Sequence, residues 1–279
     1  MLNLHETPTG FLDPITRVVE AALDAADGLN QDDVMVVGAW CRDILHSALG
    51  HTFATAATRD LDLALALSSW DAYRALTTTF PRVGDTGIRF RIADVDVDLL
   101  PFGDIEDPQG IVDPPSRGET LSVWAFEEIY AASLPLALSP TTTIHIPTVA
   151  GFAAAKIGAW LDRSDWLETK DAADLALILH WHAESADVHD RLYETPIGSE
   201  LLLVEGADVP LAAAHLLGAD IAAIIGPARL TELLARWPGD AKLLVRELVP
   251  RGGPAWPRDP QRRRTLLDVL TRGLAGAAS

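Results

Sequence analysis

The chain is short of cysteine, of basic charge and of long apolar runs. Cys41 is the only cysteine among 279 residues, so an intrachain disulfide framework and a cysteine-built zinc site are excluded, and a reducing cytoplasm is the expected home. Lys and Arg total 22 against 40 Asp and Glu, a formal net charge of −18. That excludes the broad basic surface from which nucleic-acid binders draw most of their affinity. A polyanionic partner would have to be met by a local group of arginines, with Arg82, Arg89 and Arg91 as one candidate group and Arg258, Arg262, Arg263 and Arg264 as another. The overall field suits a cationic small molecule or a basic protein better. No apolar run approaches the ~18 residues of a membrane span, and Met1 to Glu6 lack the basic-then-apolar start of a secretory signal. No membrane partner is expected.

What is present is a leucine- and alanine-rich chain with 48% apolar and 22% charged residues, an ordinary globular composition with ample material for a core. The most informative stretch is Thr58-Arg59-Asp60-Leu61-Asp62-Leu63-Ala64-Leu65. Its alternation has the period of a strand, which places the Asp60 and Asp62 carboxylates on one face about 7 Å apart. A solvated strand face would explain two such acids in isolation. Upstream, however, Val34-Met35-Val36-Val37 reads as a short buried strand that ends in Gly38-Ala39 and runs straight into a helix containing Arg42. Such a turn presents bare backbone N–H groups at a helix N-terminus, a seat for phosphate. Downstream, Asp94-Val95-Asp96-Val97-Asp98 is expected to be a further acidic strand with its three acids on one face. Carboxylates from two neighbouring strands can hold two hard divalent ions about 4 Å apart, an arrangement suited to in-line phosphoryl chemistry.

The rest of the chain supplies a frame. Asp13-Pro14 reads as a capped helix start, and Ser68 or Ser69 as the cap of a helix through Trp70, Tyr73, Leu76 and Phe80. Ile88 to Ile92 and Val95 to Leu100 form a hairpin around Ala93-Asp94, and 104–119 reads as a proline- and glycine-rich loop. Leu134 to Leu138 and Thr143 to Ile146 are extended. Helices dominate from Pro147 onward, one through Lys156 and Trp160 and the next from about Thr169 to His182. Breaks fall at Gly226-Pro227 and Trp237-Pro238-Gly239, and a last helix lies near 261–275. The expected fold class is α+β, a mixed sheet with helices over 1–146 followed by a mostly helical domain over 147–279. His180 and His182 do not share a helical face, and a cation at a helix C-terminus accounts for them. Cys41 reads as a packed small residue, and Trp160, Trp166 and Trp181 as helix packing. Lys170 and Asp174, at i and i+4, fit a surface ion pair.

Four segments together resemble the nucleotidyltransferase superfamily with the DNA-polymerase-β-like fold, and within it the AbiEii/AbiGii-type toxin family that includes the MenT toxins. They are Val37-Gly38-Ala39 with Arg42-Asp43; Thr58 to Asp62; Val97-Asp98-Leu99-Leu100-Pro101-Phe102-Gly103; and Lys156 followed by Lys170-Asp171-Ala172-Ala173-Asp174-Leu175. They span 36 to 179, about half the chain. Ala39 stands where family members carry Ser or Gly. The resemblance implies that Asp60, Asp62 and Asp98 are metal ligands, with Asp96 ranked behind Asp98. It further implies that Gly38, Ala39, Arg42 and Lys156 bind the nucleotide, and that Lys156 and Asp174 of the helical domain complete the nucleotide site. The implied cofactor is Mg²⁺, as two ions, with Mn²⁺ as an alternative, and the co-substrate is an NTP. The implied reaction transfers NMP to an acceptor hydroxyl, at the 3′ end of tRNA, by a toxin with a cognate antitoxin protein as partner. An antibiotic nucleotidyltransferase of the aminoglycoside-modifying kind, or a non-catalytic interaction protein on the same fold, are the alternatives.

Overall fold

A computed structural model describes residues 4, 7, 9–163, 170–239, 241–252 and 256–276. Trp166 and the expected helix start at Thr169 lie outside the described residues. The chain divides into two compact units, Met1–His51 with Ala57–Thr148, and Thr52–Ala56 with Val149–Ser279.

The first unit runs α1 (Asp13–Ala25), β1 (Val34–Val37), α2 (Gly38–Ala48), β2 (Asp60–Ala66), α3 (Asp71–Thr79), β3 (Arg89–Ile92), β4 (Val95–Phe102), β5 (Ile111–Val112), β6 (Leu121–Ser122), α4 (Phe126–Ala131), β7 (Leu134–Ala137) and β8 (Thr143–Ile146). Six strands form one mixed sheet in the order β3-β4-β2-β1-β8-β7. β1 pairs antiparallel with β2 and parallel with β8, while β2 and β4 are parallel. β1 is buried along its whole length, as a central strand covered on both faces should be. In β2 and β4 the period of two sorts the residues: Leu61, Leu63, Val97 and Leu99 are fully buried, while Asp60, Asp62, Asp96 and Asp98 lie half-buried on the other side. Burying each of those aliphatic side chains contributes about 1.5–3 kcal/mol. That burial helps to hold four like charges in two neighbouring pairs on the opposite face.

Several local expectations are corrected. Asp13 is the first residue of α1 rather than its cap, and Leu12 stands at the cap with no side-chain bond. Trp70, not a serine, caps α3, although Ser69 Oγ accepts a bond from the Asp71 N–H at 3.3 Å. Asp94 leaves the acidic strand: with Ala93 it forms the β3–β4 turn, both residues at positive φ (65° and 47°). The loop after β4 contains β5, which pairs with β6.

The second unit is helical in its described elements: α5 (Val149–Arg163), α6 (Lys170–Glu184), α7 (Ala186–Glu194), α8 (Pro196–Val204), α9 (Val209–Arg236), α10 (Lys242–Glu247) and α11 (Pro260–Gly276). The 28-residue α9 is its hub, packing on α5, α6, α8 and α11. Gly226, at φ 71° and ψ 174°, breaks α9 ahead of Pro227, where the sequence placed a break. By length and composition α9 is apolar enough to cross a membrane, and 56% of its most apolar window is buried within the structure. Side-chain caps mark two starts: Thr195 accepts from the Gly198 N–H at 3.0 Å and Asp208 from the Leu211 N–H at 3.2 Å. The observed class is therefore α+β, a mixed sheet with helices followed by a mostly helical part.

Candidate active site

Strand register brings the acids of the first unit together. The parallel pairing of β2 with β4 sets Asp60 beside Asp96 and Asp62 beside Asp98. On the far side of β4, β3 places Arg89 opposite Asp98 and Arg91 opposite Asp96. Arg89 is bonded to both Asp98 oxygens, Nε to Oδ1 at 2.7 Å and Nη2 to Oδ2 at 2.8 Å, and Nη2 also donates to Asp60 Oδ2 at 2.7 Å. The Asp98 hydrogen bond holds the guanidinium's pKa above its already high ordinary value, against the burial that would lower it. Asp60 is gripped from its other oxygen by Thr58 Oγ1 at 2.7 Å. Arg91 Nε lies 2.6 Å from Asp96 Oδ1.

The β1–β2 pairing sets Val37 opposite Asp62, so the turn into α2 arrives directly beside that carboxylate. Gly38 has φ +63°, and a Cβ there would overlap the Asp62 carboxylate, with Asp62 Cγ only 2.6 Å away. Glycine is required on two counts, handedness and space. Val37 caps α2 without a side-chain bond, which leaves the first N–H groups of a full-length helix uncapped from that side chain. Ala39 is half-buried. Arg42, one turn along, is only 5% exposed, and its Nε donates to Asp43 Oδ1 at 2.9 Å.

The remaining expected residues belong to the second unit, described by itself. Lys156 on α5 lies between two acids of α6, with Nζ 2.6 Å from Asp174 Oδ2 and 3.3 Å from Asp171 Oδ1. Its side chain is 11% exposed, so it is not a solvated surface lysine. Burial works against its charge, but Asp174 and Asp171 more than offset that and raise its pKa. Asp174 is buried and pairs with Lys156, so the reading of a surface pair with Lys170 does not describe its environment. Asp171, 1% exposed, also accepts from Arg163 at 3.2 Å. Sequence reasoning did not single out Asp171. Its signal was the i, i+3 spacing to Asp174 at the start of a helix that continues apolar from Leu175 to Leu179.

Of the candidate arginines, Arg82, Arg89, Arg91 and Arg262 are engaged with internal partners, while Arg258 is exposed. Arg82 donates to the Ser116 and Asp85 carbonyls, each at 3.2 Å, and Arg262 bonds Asp208 at 2.7 Å. Arg263 is buried. Thr58 and Arg89 are the site residues whose roles went unread: Thr58 was visible two positions before Asp60, whereas the clamp by Arg89 depends on strand pairing. Burial lowers the His182 pKa to about 4, so His182 is neutral and does not serve as a helix-end cation; Asp220 Oδ2 lies 3.9 Å from its Nε2. His180 packs on Phe53. Cys41 is fully buried, Trp160 is 4% exposed and Trp181 is 1% exposed, all packing residues as expected.

The acids offer only hard oxygen donors, the chemistry that Mg²⁺ or Mn²⁺ takes, and the position already holds a cation in Arg89. As the side chains stand, no group of three or more His, Cys, Asp or Glu residues among the described residues is arranged to hold an ion.

No protein-family model matches the chain, and no curated protein matches it. Among solved structures, the CCA-adding enzyme of Thermotoga maritima complexed with tRNA is similar at 12% identity, over 83% of this chain and 72% of that one, with a TM-score of 0.18. A score that low carries no argument about fold or activity.

Proposed function

We propose that the chain is a divalent-metal-dependent nucleotidyltransferase that transfers NMP from an NTP to an acceptor hydroxyl. The observation that carries the reading is the placement of the Gly38 turn against Asp62, in register with Asp98 on the neighbouring strand. A phosphate seat and a group of carboxylates then lie together on the sheet's interior strands. Asp60, Asp62 and Asp98 are the residues that would hold Mg²⁺, which when bound supplies charge to the triphosphate and acidity to the acceptor hydroxyl. The N–H groups at the start of α2 face the phosphates. Thr58 and Arg89 orient Asp60 and Asp98. The acceptor oxygen forms a bond to the α-phosphorus, the bond from that phosphorus to the bridging oxygen breaks, pyrophosphate departs, and the hydroxyl proton passes to solvent water. Lys156, with Asp174 as its orienting partner, is proposed to neutralise charge on the leaving group.

In this reading the acceptor is the 3′ end of tRNA and the protein is the toxin of a toxin–antitoxin pair of the AbiE type, following the four-segment resemblance. The net charge of −18 and the internal pairing of Arg82, Arg89 and Arg91 favour a second reading, a cationic small-molecule acceptor of the aminoglycoside kind. One experiment separates them. The chain is incubated with each α-labelled NTP and Mg²⁺, with either total tRNA or an aminoglycoside as acceptor, beside the Asp62→Asn variant. Label on tRNA that the Asp62→Asn change reduces by about a hundred- to a thousandfold supports the first reading; label on the drug supports the second. No label on either acceptor, or full activity in the variant, sinks the assignment.

A further inference from the structure

Six large apolar side chains are exposed among the described residues, and four of them fall between positions 193 and 204: Tyr193 (60%), Ile197 (70%), Leu203 (82%) and Val204 (62%). Tyr193 lies near the end of α7 and the other three lie on α8. Ile197 and Val204 are i and i+7, so they share one azimuth of the helix, with Glu200 and Leu203 next around the cylinder. The opposite side of α8 is anchored in the second unit's own core. Leu201 and Leu202 pack on Val188, Leu192, Ala212, Ala213 and Leu216. Gly198 brings α8 so close to α7 that a Cβ would sit 2.5 Å from Leu192 Cα. The helix is therefore held without any partner, and its outer face remains apolar toward solvent.

The exposed charges of α7 and α8 beside this face are mostly acidic, and the base next to its Val204 end, Arg272, is bonded to Glu205 at 2.7 Å. Glu184, Asp187, Asp190, Glu194 and Glu200 are all exposed. Arg191, the one Lys or Arg between 184 and 205, is bonded to Asp220 at 2.7 and 2.8 Å. An exposed apolar patch of this kind marks an interaction surface, and complementarity of charge decides what fits it. A second copy of the chain brings the same acids, and RNA or an anionic lipid surface is repelled by them.

We propose that the outer face of α8, with the end of α7, docks another protein through an apolar helix face flanked by lysines or arginines. The partner's apolar side chains cover Ile197, Leu203 and Val204, and its bases meet Glu194 and Glu200.

The test uses the full chain and two fluorescein-labelled synthetic helices of about 18 residues, five turns, one patterned with leucine and lysine and one with leucine and glutamate. Fluorescence anisotropy should show the lysine helix binding and the glutamate helix not. The Ile197→Ser/Leu203→Ser chain should bind the lysine helix at least about tenfold more weakly, with an unchanged circular-dichroism melt because both side chains are exposed. The Glu194→Lys/Glu200→Lys chain keeps the apolar face and should exchange preference toward the glutamate helix. Equal binding of the lysine helix by parent and serine variant overturns the proposal, since bulk acidity alone would then explain it; so does absence of binding by the parent. A dimer in sedimentation velocity that the serine variant loses would make the partner a second copy. Flotation with phosphatidylcholine vesicles that the variant loses would make it a membrane. Either result overturns the proposal as well.

Discussion

At Asp98 both carboxylate oxygens are already occupied by one side chain, Arg89, which reaches Asp60 as well. Four aspartates along two strands repel one another, and the guanidiniums of Arg89 and Arg91 offset this while no metal is bound. Arg89→Met should therefore destabilise the metal-free chain by about 1–3 kcal/mol, the cost of leaving charged acceptors without their partner. If the acids hold a metal, Mg²⁺ at about 10 mM, in excess over the roughly 10⁻³ M of weak divalent-cation sites, should raise the melting temperature of the variant more than that of the parent, and Mn²⁺ should bind it more tightly by electron paramagnetic resonance. An equal response from both chains would mean that the acid row is not a metal site. Lys156 lends itself to the same kind of reasoning. Removing a buried cation takes from Asp174 its partner at 2.6 Å and leaves Asp171 with Arg163, so Lys156→Met should cost about 3–5 kcal/mol. Lys156→Met combined with Asp174→Leu should recover part of it in a urea melt. A single variant as stable as the parent would return Lys156 to a dispensable position, and recovered stability without recovered transfer would support its proposed role at the nucleotide. The acids were legible in the sequence because alternation is local. The partners that occupy them were not: Arg89 lies nine positions from Asp98, and only the β3–β4 register turns that separation into a clamp.

Among the elements, α9 and α11 approach closely enough for backbone to meet backbone. A Cβ on Gly218 would collide with the Leu270 carbonyl and sit 2.8 Å from Leu274 N, and one on Gly273 would sit 3.0 Å from Ala219 N. The two helices cross backbone on backbone at this pair of glycines. Gly218→Ala should therefore cost about 3 kcal/mol or somewhat more, the upper range for overpacking, despite the better helix propensity of alanine. Gly239→Ala, with nothing within 4 Å of its Cβ position, is the control and should melt like the parent. Equal melting of the two variants would show that the helices part freely. Helix positions were readable from apolar spacing and from the breaks at Gly226-Pro227 and Pro238-Gly239. The crossing was not, because a glycine inside an alanine-rich helix looks the same whether it faces solvent or another backbone.

Over the whole molecule the dominant quantity is the net charge of −18. Self-repulsion of that size destabilises a compact chain, whereas the exposed ion pairs that salt would weaken are worth only about 0–1 kcal/mol each. Repulsion should win. Raising NaCl from about 20 to 200 mM at pH 7 shortens the screening length to below about 10 Å and should lift the melting temperature by a few degrees; a flat or falling curve would mean that the internal pairs outweigh the field. Charge balance, the strand period of Asp60 to Ala66, the glycine turn and the change from mixed to helical character near residue 147 were all determined by the sequence itself, because each depends on neighbours within a few positions. The tertiary structure alone decided that β2 lies parallel beside β4, that β8 joins β1, that Gly38 abuts Asp62, and that Lys156 is buried between two acids. Those outcomes depend on which apolar faces, far apart in the chain, exclude water together.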